Sequence, residues 1–213
     1  MQPSNREPLV IAVLAFLGLV ISGIAPSDRL TWLLEVFPVI VGLVVLAWVY
    51  PKFRFTNLAY RLMLVHAAIL MLGGHYTYAQ VPLGFWMERT FDFTRNHYDR
   101  IGHFAQGFVP AVLTREVLLR RSPLKPGKWL NFLTVCVCLS ISVGYEFLEW
   151  WTAVTEGSEA TKFLATQGDV WDTQWDMFFA LTGAVSGLSL LGRYHLRKVA
   201  QLDPVVLDKV MGD

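Results

Sequence analysis

Three stretches of the sequence set carboxylates and an imidazole at helical spacing. Asp99 and His103 are four residues apart, Glu146 and Glu149 three apart, and Asp169, Asp172 and Asp176 follow one another at intervals of three and four. Residues three or four apart on a helix share a face, so three helices would each present a polar pair. Carboxylates with one imidazole make a ligand set for a divalent metal ion. Such an ion would lower the pKa of a bound water and turn it on an ester or phosphoester, with a spare carboxylate as general base. The expected metal ligands are His103, Glu146, Glu149, Asp172 and Asp176, with Asp99 and Asp169 nearer the rim. A plainer arrangement stays open beside this one. Arg95 and Arg100 can pair with the same acids, and Asp169 and Asp172 suit the cap and dipole of a helix start. Asp176 already lies a turn inside.

The elements that must position these residues are membrane helices. Hydrophobic residues make up 54% of the 213, charged residues only 16%, and mean hydropathy is +0.43. Soluble domains carry about 25% charged residues. The apolar residues come in six blocks, about Leu9–Ala25, Leu30–Tyr50, Asn57–Gly73, Ile101–Leu119, Trp129–Trp151 and Trp171–Leu191. Each is near the roughly 20 residues that cross a hydrocarbon core. The expected fold is an all-α transmembrane bundle of six helices, forming one integral membrane domain over residues 1–213. Gly23-Ile24-Ala25 has the small-residue look of a signal cleavage site, but Arg6 is cancelled by Glu7, so the first block reads as a retained helix. Of the 18 Lys and Arg residues, 13 fall on the side shared by the two termini. The positive-inside rule then puts both termini in the cytoplasm and the acidic pairs at the outer ends of the last three helices. A formal net charge of +1 offers no basic field for nucleic acid. The expected partners are membrane lipids, with anionic ones at the Arg120–Lys128 loop.

The rest of each helix says which face turns inward. Asp172, Asp176, Gly183 and Gly187 form one stripe, and the glycine pair allows close helix approach. Asn131, Thr134, Cys138, Ser142, Glu146 and Glu149 form a second stripe. Asp99, His103, Gln106 or Gly107, and Pro110 form a third. A charge in the hydrocarbon core costs about 2.5–3.5 kcal/mol even on the gentler insertion scale, so these stripes should face protein or water. Glu35 stands near the outer end of the second block, where it either joins the site or caps. His66 lies at mid-membrane depth, and His75, Tyr76 and Tyr78 are placed to roof the site or to lie in the interface. Cys136 and Cys138, two apart on a helix, point about 200° from each other and read as packing residues. The sequence has no H-E-x-x-H, phosphate loop or dinucleotide fingerprint. Ser186 lies deep toward the cytoplasm without a base at its depth.

Three segments together carry a resemblance. They are His97-Tyr98-Asp99-Arg100-Ile101-Gly102-His103-Phe104, Tyr145-Glu146-Phe147-Leu148-Glu149-Trp150, and Gln167-Gly168-Asp169-Val170-Trp171-Asp172-Thr173-Gln174-Trp175-Asp176-Met177. They resemble the YjdF-type bacterial inner-membrane proteins, a family of unknown function, over about Leu9–Arg193. The sequence is more distantly similar to the VanZ-like proteins, which carry Asp-Lys-x-x-His-Phe, a Glu on the next helix and an Asp opening a later glycine-bearing helix. The matching positions are Asp99, Arg100, His103 and Phe104, then Glu146 or Glu149, then Asp172 or Asp176, with Arg100 replacing the Lys. VanZ-like proteins are linked to teicoplanin resistance. The resemblance implies a multi-pass bacterial inner-membrane protein and a shared polar face, and names no substrate. Three functions remain open on the sequence: a cation site acting on a lipid-linked or envelope substrate, a proton- or ion-coupled transporter, and a non-catalytic membrane scaffold.

Overall fold

In the computed structural model, which describes residues 6–156 and 166–211, the chain is all-helical. The helices are α1 (Arg6–Ser22), α2 (Arg29–Val49), α3 (Asn57–Tyr76), α4 (Pro82–Phe91), α5 (Tyr98–Arg121), α6 (Lys128–Glu156), α7 (Asp172–Leu202) and α8 (Pro204–Met211). Local chemistry explains where they begin. Asp28 accepts the Thr31 N–H at 2.8 Å as N-cap of α2, Thr56 caps α3 through the Ala59 N–H, and Pro82 opens α4 at a position that needs no donor.

Four helices, α2, α3, α6 and α7, are long and apolar enough to cross a membrane. Of the other two blocks expected to span, α1 has only 17 residues. The second, α5, is long enough but carries Asp99, Arg100, Arg115, Glu116, Arg120 and Arg121. Its polarity has a structural reason. It packs against α3, α6 and α7, so its solvent is mostly protein and it can keep charges that a lipid-facing helix could not. The outward faces of α1 and α2 show the converse, with Leu9, Phe16, Val20, Val44 and Trp48 exposed.

Several boundaries move from their expected places. The first block begins three residues earlier and ends at Ser22, and the last continues eleven residues past Leu191. The stretch between Gly74 and Arg100, expected as a loop, contains a 3-10 turn at Tyr78–Gln80 and the whole of α4. Asp169 lies ahead of α7, in the segment leading to it, and not on the helix. The expected loop from Thr152 to Val170 is helical as far as Glu156, and residues 157–165 lie outside the described part.

The closest packing is between α5 and α7. A Cβ on Gly107 would collide with the Ala180 carbonyl, and one on Gly183 with the Phe104 carbonyl. Backbone meets backbone here because both helices present glycine at the crossing. That crossing brings the first turns of α5 and α7 together.

Candidate functional site

Two arginines organise the end of the α5–α7 pair at which both helices begin. Arg95 donates to Asp172 Oδ1 at 2.8 Å and to the Thr166 carbonyl at 2.9 Å, and reaches Asp169 at 3.4 Å. Arg100 donates to Asp176 at 2.6 Å, Asp172 at 3.0 Å and Asp169 at 3.1 Å. The segment before α5 is held by a reciprocal amide pair. Gln167 accepts the Asn96 N–H at 3.1 Å and donates to the Asn96 carbonyl at 2.8 Å. Asn96 also donates to the Val81 carbonyl and accepts the Tyr98 N–H. The three aspartates therefore form a clamp whose charge is partly matched by two guanidiniums.

On the far side of Asp176 the pairing changes. His103 Nδ1 stands 2.9 Å from Gln106 Oε1, and Nε2 faces Asp99 at 3.4 Å and Asp176 at 3.8 Å. Glu146 on α6 is 7% exposed, and neither carboxylate oxygen has a hydrogen-bond partner among the described residues. The Thr173 hydroxyl on α7 interacts with it without forming a well-aligned hydrogen bond. Buried polar atoms are almost always paired, and an unpaired charged one is dearer still.

Two groups of ligand atoms lie mutually within 4.8 Å: Asp99, His103 and Asp176, and His103, Glu146 and Glu149. Oxygens that each sit about 2.0–2.6 Å from one ion stand at most roughly 5 Å apart, so both groups are close enough to share a cation. Asp172 and Asp169 lie outside both groups and belong to the arginine clamp, whereas Asp99, placed at the rim by sequence, belongs to the first group. The expected polar stripe on α6 is inward at Thr134, Cys138, Ser142 and Glu146; Glu149 is half-buried and Asn131 exposed. Cys136 and Cys138 are free thiols.

A fourth helix also reaches the site. Glu35 on α2 is buried and within electrostatic reach of Asp99 and His103. Pro38 lacks the N–H that would bond the Leu34 carbonyl. The Tyr145 hydroxyl stands 3.3 Å from both that freed carbonyl and Glu35, tying α6 to α2. Tyr78 roofs the group. Its ring fills a notch where a Cβ on either Gly73 or Gly102 would strike it, and it is 4% exposed. Among the described residues, seven carboxylates, from Glu35, Asp99, Glu146, Glu149, Asp169, Asp172 and Asp176, thus lie with two guanidiniums and one imidazole.

The geometry now bears comparison with other proteins. The model of the family described as "Predicted membrane protein (DUF2238)" matches residues 7–197. The chain belongs to this family. It is also 46% identical, over 196 residues, to the inner membrane protein YjdF of Escherichia coli (strain K12), a match spanning 91% of this chain and 94% of that protein. No solved structure matches. The DUF2238 match covers all four helices that build the site. With its apolar helices, it makes this chain a multi-pass protein of the bacterial inner membrane.

One polar cluster escaped the sequence reading altogether. At the opposite end of α5, Glu116 is fully buried and accepts from the Thr56 N–H at 2.9 Å, the Thr56 hydroxyl at 2.8 Å and Arg120 at 3.0 Å, with His195 Nε2 at 3.0 Å. Arg120 donates in turn to Asp203 and to the Arg54 carbonyl. The Glu116–Arg120 spacing of four was its one sequence signal.

Proposed function

We propose that this DUF2238 protein holds a divalent cation at the extracytoplasmic side of the inner membrane, among Asp99, His103, Glu146, Glu149 and Asp176, and uses it in metal-assisted hydrolysis of a lipid-linked or envelope substrate. Six crossings, with α1 and α5 included, and cytoplasmic termini follow from the distribution of Lys and Arg and put the acidic cluster outside. The observation that carries the reading is Glu146. It is a buried carboxylate that accepts no well-aligned hydrogen bond among the described residues, set with His103 and Glu149 in a cluster whose described acids outnumber its described bases. A cation supplies what the protein side chains leave out.

The roles divide by contact. Gln106, at Nδ1, would orient the His103 ring so that Nε2 can take up the ion, as hydrogen-bond partners do for metal-bound imidazoles. Asp172, clamped by Arg95 and Arg100, holds α5 against α7. A bound ion would lower the pKa of its water, and Glu35, outside both ligand groups, is placed to accept that proton through Tyr145 or Tyr78. Elemental analysis of purified protein tests the reading. Stoichiometric divalent metal in the wild type, lost in Glu146→Ala and Asp176→Ala, is expected. A metal-free wild type that stays metal-free after incubation with Mn²⁺ or Zn²⁺ would overturn it.

A further inference from the structure

Below the acidic cluster lies a cleft of about 680 Å³ between α1, α2, α3 and α5. That is within the roughly 300–1,000 Å³ of small-molecule sites. Its wall is apolar at the depth of the hydrocarbon core, and it is in register with the polar site. On α2, Glu35 is followed by Val39, Gly42 and Leu46 at intervals of four, three and four, one continuous helix face, and the last three line the cleft. On α5, Gln106, which bonds His103, is followed at three and seven residues by Val109 and Leu113, which also line it. With a rise of 1.5 Å per residue, the cleft begins about 4.5 Å below Glu35, at Pro38. His66 on α3, whose Nε2 has no hydrogen-bond partner among the described residues, stands in the same wall.

We infer that the cleft holds the hydrocarbon chain of a lipid whose phosphate headgroup is bound by the cation above it. The inference rests on the cation reading and adds the substrate class to it. Charge decides the headgroup. The carboxylates surrounding the site would repel an anion directly, and a cation held among them reverses the sign at that one point. An amphiphile with an anionic head matches both halves, an apolar slot in the bilayer and a cation at its outer end. Neither half alone discriminates such a lipid from free phosphate or from bulk acyl chains.

Gly42 allows the two halves to be separated. It lines the cleft, and a Cβ there would meet nothing within 4 Å. The Cβ of Gly42→Trp therefore starts in open space on the cleft wall, so the ring is expected to occupy cleft volume, and the change exchanges a poor helix former for a better one. Binding of dodecyl phosphate, inorganic phosphate and dodecanol to the full-length protein is measured with Mn²⁺ and with EDTA, alongside Mn²⁺ binding alone by paramagnetic resonance. Dodecyl phosphate should bind the wild type with Mn²⁺ at least about tenfold more tightly than inorganic phosphate does, and than dodecyl phosphate does in EDTA. Gly42→Trp should keep its Mn²⁺ and lose at least about tenfold in dodecyl phosphate affinity, the equivalent of about two methylenes of burial. Gly42→Leu, a smaller plug, should fall between. Equal binding of dodecyl phosphate by wild type and a folded Gly42→Trp that retains Mn²⁺ overturns the inference and leaves the cation reading standing. So does dodecanol binding as tightly as dodecyl phosphate, the mark of ordinary bilayer lipid. A wild type that binds no Mn²⁺ overturns the reading beneath it.

Discussion

Helix α5 carries a buried carboxylate cluster at each end, and the two are built to opposite plans. At the Glu116 end one carboxylate meets a backbone N–H, a hydroxyl, a guanidinium and an imidazole. At the Asp99 end, among the described residues, seven carboxylates lie with two arginines and a histidine, and Glu146 accepts no well-aligned hydrogen bond. The first arrangement is closed, since each partner also fastens a piece of the fold: the cap of α3 through Thr56, α7 through His195, and the start of α8 through Arg120 and Asp203. The second is closed only along the arginine clamp and open toward Glu146. A buried ionic group is therefore weak evidence of function by itself. The informative quantity is the balance of partners around it.

The largest expected effect falls on the closed cluster. Glu116→Ala leaves His195 and Arg120 buried without their carboxylate, and should destabilise the protein by about 3–5 kcal/mol, read as a lowered thermal midpoint in detergent. Arg100→Gln removes the cation shared by Asp169, Asp172 and Asp176 and should cost about 3 kcal/mol. Lysine at this position should rescue only part, because one ammonium cannot reproduce the fork. Glu146→Gln should behave in the opposite way. In metal-free protein it removes an unmatched buried charge, so stability should be unchanged within about 0.5 kcal/mol or should rise, whereas affinity for Mn²⁺ should fall more than about a hundredfold. A loss of stability from Glu146→Gln as large as that from Glu116→Ala would erase the contrast between the two ends.

The smallest effect concerns His97, just ahead of α5. Partial burial and the neighbouring guanidiniums of Arg95 and Arg100 hold its imidazole below the ordinary histidine range. The unfolded chain then takes up the proton first, so stability should slip slightly as pH falls through the ordinary histidine pKa, and be unaffected above it. Comparing thermal midpoints of wild type and His97→Gln between pH 7.5 and 5.5 isolates that contribution. A slope that survives the substitution assigns it elsewhere.

Much of the Asp99–Asp176 site was legible because membrane helices make polar residues conspicuous. Asp99 with His103, Glu146 with Glu149, and Asp172 with Asp176 stood out against apolar runs, and spacing placed each pair on one face. What spacing could not apportion was partnership. Asp172 and Asp176 share a stripe, yet Asp172 is held between Arg95 and Arg100 while Asp176 bridges the clamp and His103. Which acid the arginines neutralise depends on Asn96 and Gln167, and on a loop conformation with no periodic signature. Glu116 and His195 were missed for a different reason. They are 79 residues apart, in segments whose basic residues the positive-inside rule already explained, so nothing there called for a buried pair. The end of α7 was set too early because its apolar run stops at Leu191 while the helix continues through Arg193, His195 and Arg197, where hydropathy falls but nothing breaks the helix. The short helix α4 lies in the stretch expected as a loop, where only the ten residues Pro82–Phe91 form a helix, too short to leave an apolar block.

The central claim, that the open cluster is completed by a cation, is tested most directly by the thermal shift that Mn²⁺ produces in the wild type and in Glu146→Gln. An ion at about a hundred times its dissociation constant stabilises the folded state by about 2.7 kcal/mol. A rise of that order in the wild-type midpoint, reversed by chelation, is expected, with none in Glu146→Gln. No shift in the wild type, or the same shift in both proteins, would contradict it.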